Sequence, residues 1–297
     1  MASAFAGLRA ALATRHAKLA VVAPPLWSAL GMHVISVDVD TDSLGTFSGE
    51  VPRPADPLET ARRKARLGMD ATGLPLGLAS EGSIVDPWGV GVGLVARELV
   101  VLVDDHRALT VAGRASGTGV VAFTATLHID EITSERLATV VRKADLGRHH
   151  LVVHPDGTAP RTTGGAPDAA WLAATTKGVG DPATLREAIA RAAGGSPDGR
   201  VRLTTDLRAH LCPSRRRVIS AAAADLAHRL ATACPTCASP GWGTDGVAGN
   251  RPCAWCGGPT DEPTSLRWTC PACHATELTA RRDSGPVDPA HCQRCNP

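Results

Sequence analysis

Cys234-Pro235-Thr236-Cys237, Cys253-Ala254-Trp255-Cys256, Cys270-Pro271-Ala272-Cys273 and Cys292-Gln293-Arg294-Cys295 hold eight of the nine cysteines of a 297-residue chain, all within its last quarter. A Cys-x-x-Cys knuckle aims two thiolates at one tetrahedral ion, and two knuckles complete a four-thiolate shell. Four knuckles therefore predict two structural zinc ions. Between Cys237 and Cys253 lie 15 residues, and between Cys273 and Cys292 lie 18. Both gaps suit a zinc ribbon. Sequential pairing, Cys234/Cys237/Cys253/Cys256 and Cys270/Cys273/Cys292/Cys295, closes shorter loops than a crossed arrangement and is the favoured expectation. The module is expected over residues 233–297, and residues 1–232 form the remainder.

The rest of the chain is read outward from there. The first 30 residues are rich in Ala, but Arg9, Arg15, His16 and Lys18 break every apolar run, so no signal peptide is expected. No apolar run reaches the 18 residues a membrane span needs, so no membrane partner is expected. Thiolate zinc sites need a reducing compartment, which predicts a cytoplasmic protein.

Apolar residues make up 43% of the chain, with three Phe, six Trp and no Tyr, so the core must be built from Ala, Val, Leu and Ile. The net charge of +2 does not mark the whole chain as a polyanion binder. From Ala233 onward five Arg face six Asp or Glu, a balance of −1. Each four-thiolate zinc centre adds about −2 more. A reader of the phosphate backbone should be basic, so the module is expected to be structural or to contact protein rather than nucleic acid.

Of 31 basic residues only four are Lys. A compact ammonium serves a phosphate oxygen as a point charge, which Arg's planar fork does not replace well. Lys18, Lys64 and Lys177 lie beside motif-like stretches, while Lys143 reads as part of a solvated helix face.

Strands are expected over Leu8–Thr14, His33–Val39, Pro75–Ala79, Glu98–Val103, parts of Leu109–Leu127 with a turn region at Arg114–Gly119, Leu151–Val153 and Val201–Thr204. Helices are expected before Gly31, with Pro24 and Pro25 delaying or kinking the regular part; from the Asp56-Pro57-Leu58-Glu59 cap; over Asp130–Ala144; from the Asp181-Pro182 cap to Gly194; and over Pro213–Ala231. Strands alternating with helices predict an α/β fold, a layered mixed sheet with flanking helices plus the small zinc-ribbon-like module.

Ligands of such sheets bind beyond the carboxyl ends of strands. Lys18 follows the first strand, Glu50 follows the Gly-rich stretch after the second, Lys64 rides the next helix and Glu81 closes the following strand. Glu50 and Glu81 could hold Mg²⁺ or Mn²⁺ while phosphates complete its shell, and the two ammoniums could neutralise the remaining charge. Asp206 and Arg208 either face the ligand or brace their own turn. Cys212 reads as a small buried apolar residue rather than a nucleophile.

Ala13-Thr14-Arg15-His16-Ala17-Lys18, Glu59-Thr60-Ala61-Arg62-Arg63-Lys64-Ala65 and Leu78-Ala79-Ser80-Glu81-Gly82-Ser83 resemble, in that order, the opening Lys loop, the Glu-Asn-Ala-x-x-Lys-Ala helix and the acidic strand end of the inosine triphosphate pyrophosphatase and Maf-like superfamily. Ser214-Arg215-Arg216 is similar to its Ser-His-Arg base-recognition turn. His16 replaces the usual Asn, and Glu81 stands alone where one version of the motif carries two carboxylates. The resemblance implies a layered α/β fold and Mg²⁺-dependent hydrolysis of nucleoside triphosphates. It also implies catalytic roles for Glu81 and Lys64, to which the placement of Glu50 adds a third, and nucleotide contacts for Lys18, His16 and Arg215. The chain as a whole is similar to an uncharacterised bacterial family that ends in a Cys-x-x-Cys module. Two further readings stay open: a nucleotide sensor without catalysis, and a zinc-ribbon protein that binds nucleic acid or protein.

Overall fold

A computed structural model describes residues 3–45, 55–86, 94–132, 135–157 and 168–297. Three sheets divide the chain. The first has five strands in the order β2-β1-β3-β4-β5, with β1 Arg9–Ala13, β2 His33–Val37, β3 Leu76–Val85, β4 Val95–Asp104 and β5 Leu109–Gly117. β2, β1 and β3 are parallel, and β3, β4 and β5 are antiparallel.

Helices α1 (Leu19–Leu30) and α6 (Pro213–Ala231) pack on one face of this sheet and α2 (Pro57–Thr72) on the other. The larger core, around Leu12, Leu26, Leu78, Leu102 and Leu226, lies on the α1/α6 side. Ala61, Ala65 and Met69 of α2 seal the opposite face against Ala79 and Val101. Two glycines permit these approaches. A Cβ on Gly113 would overlap the α6 backbone at Leu226, and one on Gly77 would strike the Met69 side chain and the Ala65 carbonyl.

The α2 cap forms as its sequence requires, with the Asp56 carboxylate accepting from the N–H groups of Leu58 and Glu59. Gly31 ends α1 in the left-handed conformation at φ 67°. Pro24 and Pro25 do not delay that helix, which contains both. Their missing N–H groups cost intrahelical bonds. Val22, Leu26 and Leu30 recur at helical spacing and are all buried, and that packing outweighs the loss.

β3 also differs from expectation. It runs ten residues, to Val85, instead of stopping near Ala79. Pairing with β4 continues without interruption from Leu76↔Asp104 to Val85↔Val95, so Glu81 lies mid-strand. Likewise β5 continues to Gly117, through part of the turn region expected after Arg114.

The second sheet, in the order β6-β9-β7-β8, is wholly antiparallel: β6 Thr124–His128, β7 Leu151–Pro155, β8 Thr176–Val179 and β9 Arg200–Thr205. Helices α3 (Glu135–Lys143) and α5 (Pro182–Gly194) cover it, with Leu137, Leu151, Leu185, Ile189 and Leu203 as a separate core. The short helix α4 (Ala169–Ala174) precedes β8. Residues 1–232, read as one unit from the sequence, thus hold two sheets with two cores.

The third sheet, β10 Gly243–Ala248, β11 Ser265–Thr269 and β12 Thr276–Ala280, is an antiparallel meander carrying the knuckles. No helix among the described residues is long and apolar enough to cross a membrane.

Candidate functional site

The strand-to-helix loop after β1 begins one wall of a pocket. Thr14 Oγ1 accepts the His16 N–H at 3.1 Å, and Ala17 takes a left-handed turn at φ 49°. That turn places Lys18 at the N-cap position of α1. Lys18, His16, Arg15, Asp42, Lys64, Ser80, Glu81 and Arg215 all border a cavity that is partly open to solvent. Five of the residues picked from sequence line it: Lys18, His16, Lys64, Glu81 and Arg215. Glu50 lies outside the described residues.

The floor is a set of buried charges. Lys64 and Glu81 are 7% and 5% exposed, and their Nζ and Oε1 atoms stand 2.5 Å apart. Lys64 also donates to the Gly45 carbonyl at 3.2 Å. Glu98, 3% exposed, sits across the β3/β4 ladder from Gly82. It receives the Arg215 fork through Nε at 2.5 Å and an η nitrogen at 3.2 Å. The other η nitrogen of Arg215 donates to the Leu207 carbonyl at 2.6 Å. A Cβ at position 82 would overlap the Glu98 carboxylate, so Gly82 makes the space in which this pair is buried.

Both carboxylates of the floor are therefore engaged by cations. Among the described residues Lys18 has a single long bond, 3.4 Å from Nζ to the Ser80 carbonyl. Burial, the Arg215 guanidinium and Lys64 disfavour its charged form, against Glu98 and Glu81, and push it down to about 8. Ser80 is 4% exposed, and its hydroxyl has no hydrogen-bond partner among the described residues. An ammonium with spare donors and an unpartnered buried hydroxyl thus border one cavity.

The rim is looser. Arg15 spans Asp38, Asp40 and Asp42 at 3.8, 3.4 and 3.5 Å. His16 Nε2 is 3.8 Å from Asp42 Oδ1, and the His16 ring stacks on His210 with centroids 5.2 Å apart. Burial, then Lys18, pushes the imidazole down to about 4, so His16 is neutral at pH 7. Asp206 and Arg208 do not line the cavity. Burial pushes the Asp206 carboxyl up, but Arg208 outweighs it and leaves the group below its usual range. Asp206 accepts from Arg208 at 2.6 Å and from the Gly178 N–H at 3.1 Å, which braces the ends of β8 and β9. Cys212 is fully buried in an apolar cluster, as its sequence context suggests.

Glu98 and Asp42 escaped the sequence reading. Glu98 had a signal: it is a carboxylate that opens a near-continuous apolar strand, where an unpaired charge would be costly. Asp42 had none beyond its polar, Gly-rich surroundings.

Beside the pocket, Asp145 Oδ2, His149 Nδ1 and Nε2 and Ser214 Oγ form a relay with steps of 3.2 and 3.0 Å. The order is that of an acid–base–nucleophile triad. However, the buried Ser214 hydroxyl also accepts the Val121 N–H at 3.1 Å and lies 3.4 Å from Cys212 Sγ. It clamps the second sheet to the start of α6, one residue from Arg215.

In the C-terminal module the eight cysteines form two four-thiol groups, Cys234/Cys237/Cys270/Cys273 and Cys253/Cys256/Cys292/Cys295. The pairing is crossed, not sequential. Sγ atoms of facing knuckles stand 3.6 and 3.8 Å apart in the first group and 3.9 and 3.8 Å in the second. A tetrahedron with zinc–sulfur bonds of about 2.3 Å has edges of about 3.8 Å, so the thiols fit zinc. The knuckles repeat one fold. Ala238, Gly257 and His274 follow the second cysteine with φ 60°, 67° and 61°, and each N–H bonds back to the carbonyl of the first cysteine.

Sheet topology explains the crossing. β10 leads from the first knuckle to the second, β11 returns to the third and β12 leads to the fourth. Knuckles one and three therefore meet at one end of the meander, next to the Gly243↔Thr269 pair. Knuckles two and four meet at the other. The crossed first site spans 32 intervening residues rather than 15. One doubling of loop length costs only about 0.6 kcal/mol, less than the strand pairing it permits.

Residues 64–297 match the family model described as "Domain of unknown function (DUF6671)", and the chain belongs to that family. No curated protein matches it. Among solved structures it is similar to the crystal structure of protein VC0702 from Vibrio cholerae, at 11% identity and a TM-score of 0.29, over 46% of this chain and 76% of that one.

Proposed function

We propose that the pocket binds the phosphates of a nucleotide and hydrolyses a phosphoanhydride bond with the aid of Mg²⁺ or Mn²⁺, while two zinc ions hold the C-terminal module. The observation that carries this reading is Lys18, a half-buried ammonium at the start of α1 with one long hydrogen bond among the described residues, beside a Ser80 hydroxyl that has no partner among them. Both are donors for a phosphate oxygen, and the N-terminus of α1 adds the positive end of its dipole. Lys64 and Arg215 are balanced by Glu81 and Glu98, which leaves Lys18 as the surplus positive charge beside the floor.

A divalent ion would be held by Glu81 and Asp42, the carboxylates that border the cavity. When bound, such an ion neutralises phosphate charge and acidifies water. His16, neutral and beside Asp42, can accept a proton at Nε2. The layered α/β arrangement suits the pyrophosphatase-like reading of the sequence. The nucleotide sensor remains the second reading, because Glu81 already engages Lys64.

The test is a screen of the full chain against common and deaminated nucleoside triphosphates with Mg²⁺, Mn²⁺ or EDTA, measuring pyrophosphate and phosphate separately. Metal-dependent release that Lys18→Met abolishes is expected. Binding without release selects the sensor, and neither binding nor release overturns the nucleotide reading.

A further inference from the structure

We propose that Lys18 is a nucleophilic amine, and that the pocket forms a reversible imine with phosphorylated aldehydes or ketones. This goes beyond the hydrolase reading and shares with it only the phosphate-binding character of the pocket.

A lysine serves as a nucleophile when its neutral form is favoured, its lone pair faces a cavity and no carboxylate claims it. Among the described residues Lys18 meets these conditions. Lys18 borders the cavity, and among the described residues its Nζ bonds only the Ser80 carbonyl, at 3.4 Å. The nearby carboxylates Glu81 and Glu98 are committed to Lys64 and Arg215. Two cations and the N-terminus of α1 surround the amine, and each favours its neutral form. Arg208, Arg215, Lys64 and His16 face this region with positive or neutral groups, and Asp42, Glu81 and Glu98 with negative ones. The amine is pushed down to about 8, so near pH 8 half of it is free.

In the reaction the Lys18 nitrogen attacks the carbonyl carbon. A C–N bond forms, and the carbonyl oxygen takes a proton to give a carbinolamine. The Ser80 hydroxyl, unpartnered in the cavity wall, can bond that oxygen. Loss of water then gives the protonated imine. Overall, ammonium plus aldehyde becomes iminium plus water, charge is conserved and nothing is oxidised. A phosphate on the same ligand would be held by Arg15 and the first turn of α1.

The chain's four lysines make the test direct. Pyridoxal 5′-phosphate is the probe, trapped with borohydride at pH 7 and mapped by peptide mass spectrometry on the full zinc-loaded chain. Lys18 should be labelled faster than the exposed Lys143 and Lys177 by on the order of tenfold or more, because far more of it is free amine. Pyridoxal lacking the phosphate should label it more slowly, and pyrophosphate should protect it. Label spread evenly over the lysines, or confined to Lys143, Lys177 or the N-terminus, overturns the proposal. Mapping on the unmodified sequence needs no variant to fold. Lys18 labelling without nucleotide hydrolysis would sink the hydrolase reading alone, and hydrolysis without preferential labelling would sink this one alone.

Discussion

The zinc module and the pocket solve the same problem, the burial of charge, in opposite ways. The module repeats one residue type at one spacing, and its ligand sets lie within 62 residues, Cys234 to Cys295. The pocket draws six charged side chains, from Arg15 to Arg215, from the loop before α1, the segment after β2, and α2, β3 and α6. In the module an external ion held by the four thiols of each group would stabilise the burial, and the protein supplies little beyond knuckles and a three-stranded meander. In the pocket the cations and carboxylates neutralise each other, Lys64 with Glu81 and Arg215 with Glu98. A metal-centred solution tolerates almost any flanking sequence, whereas a salt-bridged one depends on every neighbour, down to the absent Cβ of Gly82.

The largest effects should come from the module. Structural zinc contributes on the order of 10 kcal/mol to small domains of this kind. Chelation should unfold residues 233–297 and leave the two α/β cores intact, which limited proteolysis and circular dichroism can read. Pairing is tested by double variants. With crossed sites, Cys234→Ser/Cys270→Ser strikes one site and should leave one zinc per chain by metal analysis. Cys234→Ser/Cys253→Ser strikes both and should leave none. The reverse result would restore sequential pairing.

Legibility follows the same divide. The knuckles could be read without a structure because spacing alone implies a ligand set, but their partners could not, since strand order decides which knuckles meet. Lys18, Lys64 and Glu81 could be singled out by scarcity and by position after strands. Glu81 was nevertheless assigned to a strand end, because Gly82 and Ser83 look like a turn. In fact Gly82 continues β3 and clears space for Glu98. Long-range pairs such as Glu98 with Arg215, 117 positions apart, leave no local periodicity to detect. Strands of the second sheet at Leu151–Val153, Val201–Thr204 and the end of Leu109–Leu127 are legible, but their grouping into a sheet of their own and the short β8 are not, because β8 pairs with β7 across α4, a helix of six residues.

The next largest effect belongs to the pocket floor. Glu98→Ala leaves the Arg215 guanidinium buried without its carboxylate and should cost about 3–5 kcal/mol in chemical denaturation. Gly82→Ala keeps both charges but forces the carboxylate aside, and should cost about 1–3 kcal/mol, as overpacking does. If Gly82→Ala equals Glu98→Ala, the pair tolerates no displacement at all; if both are near neutral, the floor is not held by this pair.

Lys18→Met should act in the opposite direction. In the unfolded chain the ammonium titrates near its ordinary value of about 10.4. In the folded chain it is pushed down to about 8. Between those values the unfolded chain binds more protons, so this group's contribution to stability improves as pH rises. Below pH 8 its full penalty is present. The variant should therefore be more stable than the parent at pH 7, by about 1–2 kcal/mol after allowance for partial solvent contact, and the gain should vanish above about pH 10.4. A variant less stable at pH 7, or a gain independent of pH, would show that Lys18 is not held against its charge.

The smallest effect sets the rim against the floor. Arg15 bridges three aspartates, yet its side chain is 47% exposed and its contacts lie at 3.4–3.8 Å. Exposed pairs of that length contribute roughly 0–1 kcal/mol and are screened by salt. Arg15→Ala should shift the denaturation midpoint by less than about 0.5 kcal/mol, and that shift should disappear in high salt. The same substitution removes a cation from the mouth of the cavity, so pyrophosphate binding should weaken measurably at low ionic strength while stability hardly moves. A floor variant such as Glu98→Ala should lose both together. Calorimetric titration of pyrophosphate beside urea denaturation separates the two. If Arg15→Ala destabilises the fold as strongly as Glu98→Ala, the rim is part of the structural charge network, and the division between a rim that meets ligand and a floor that holds the fold fails.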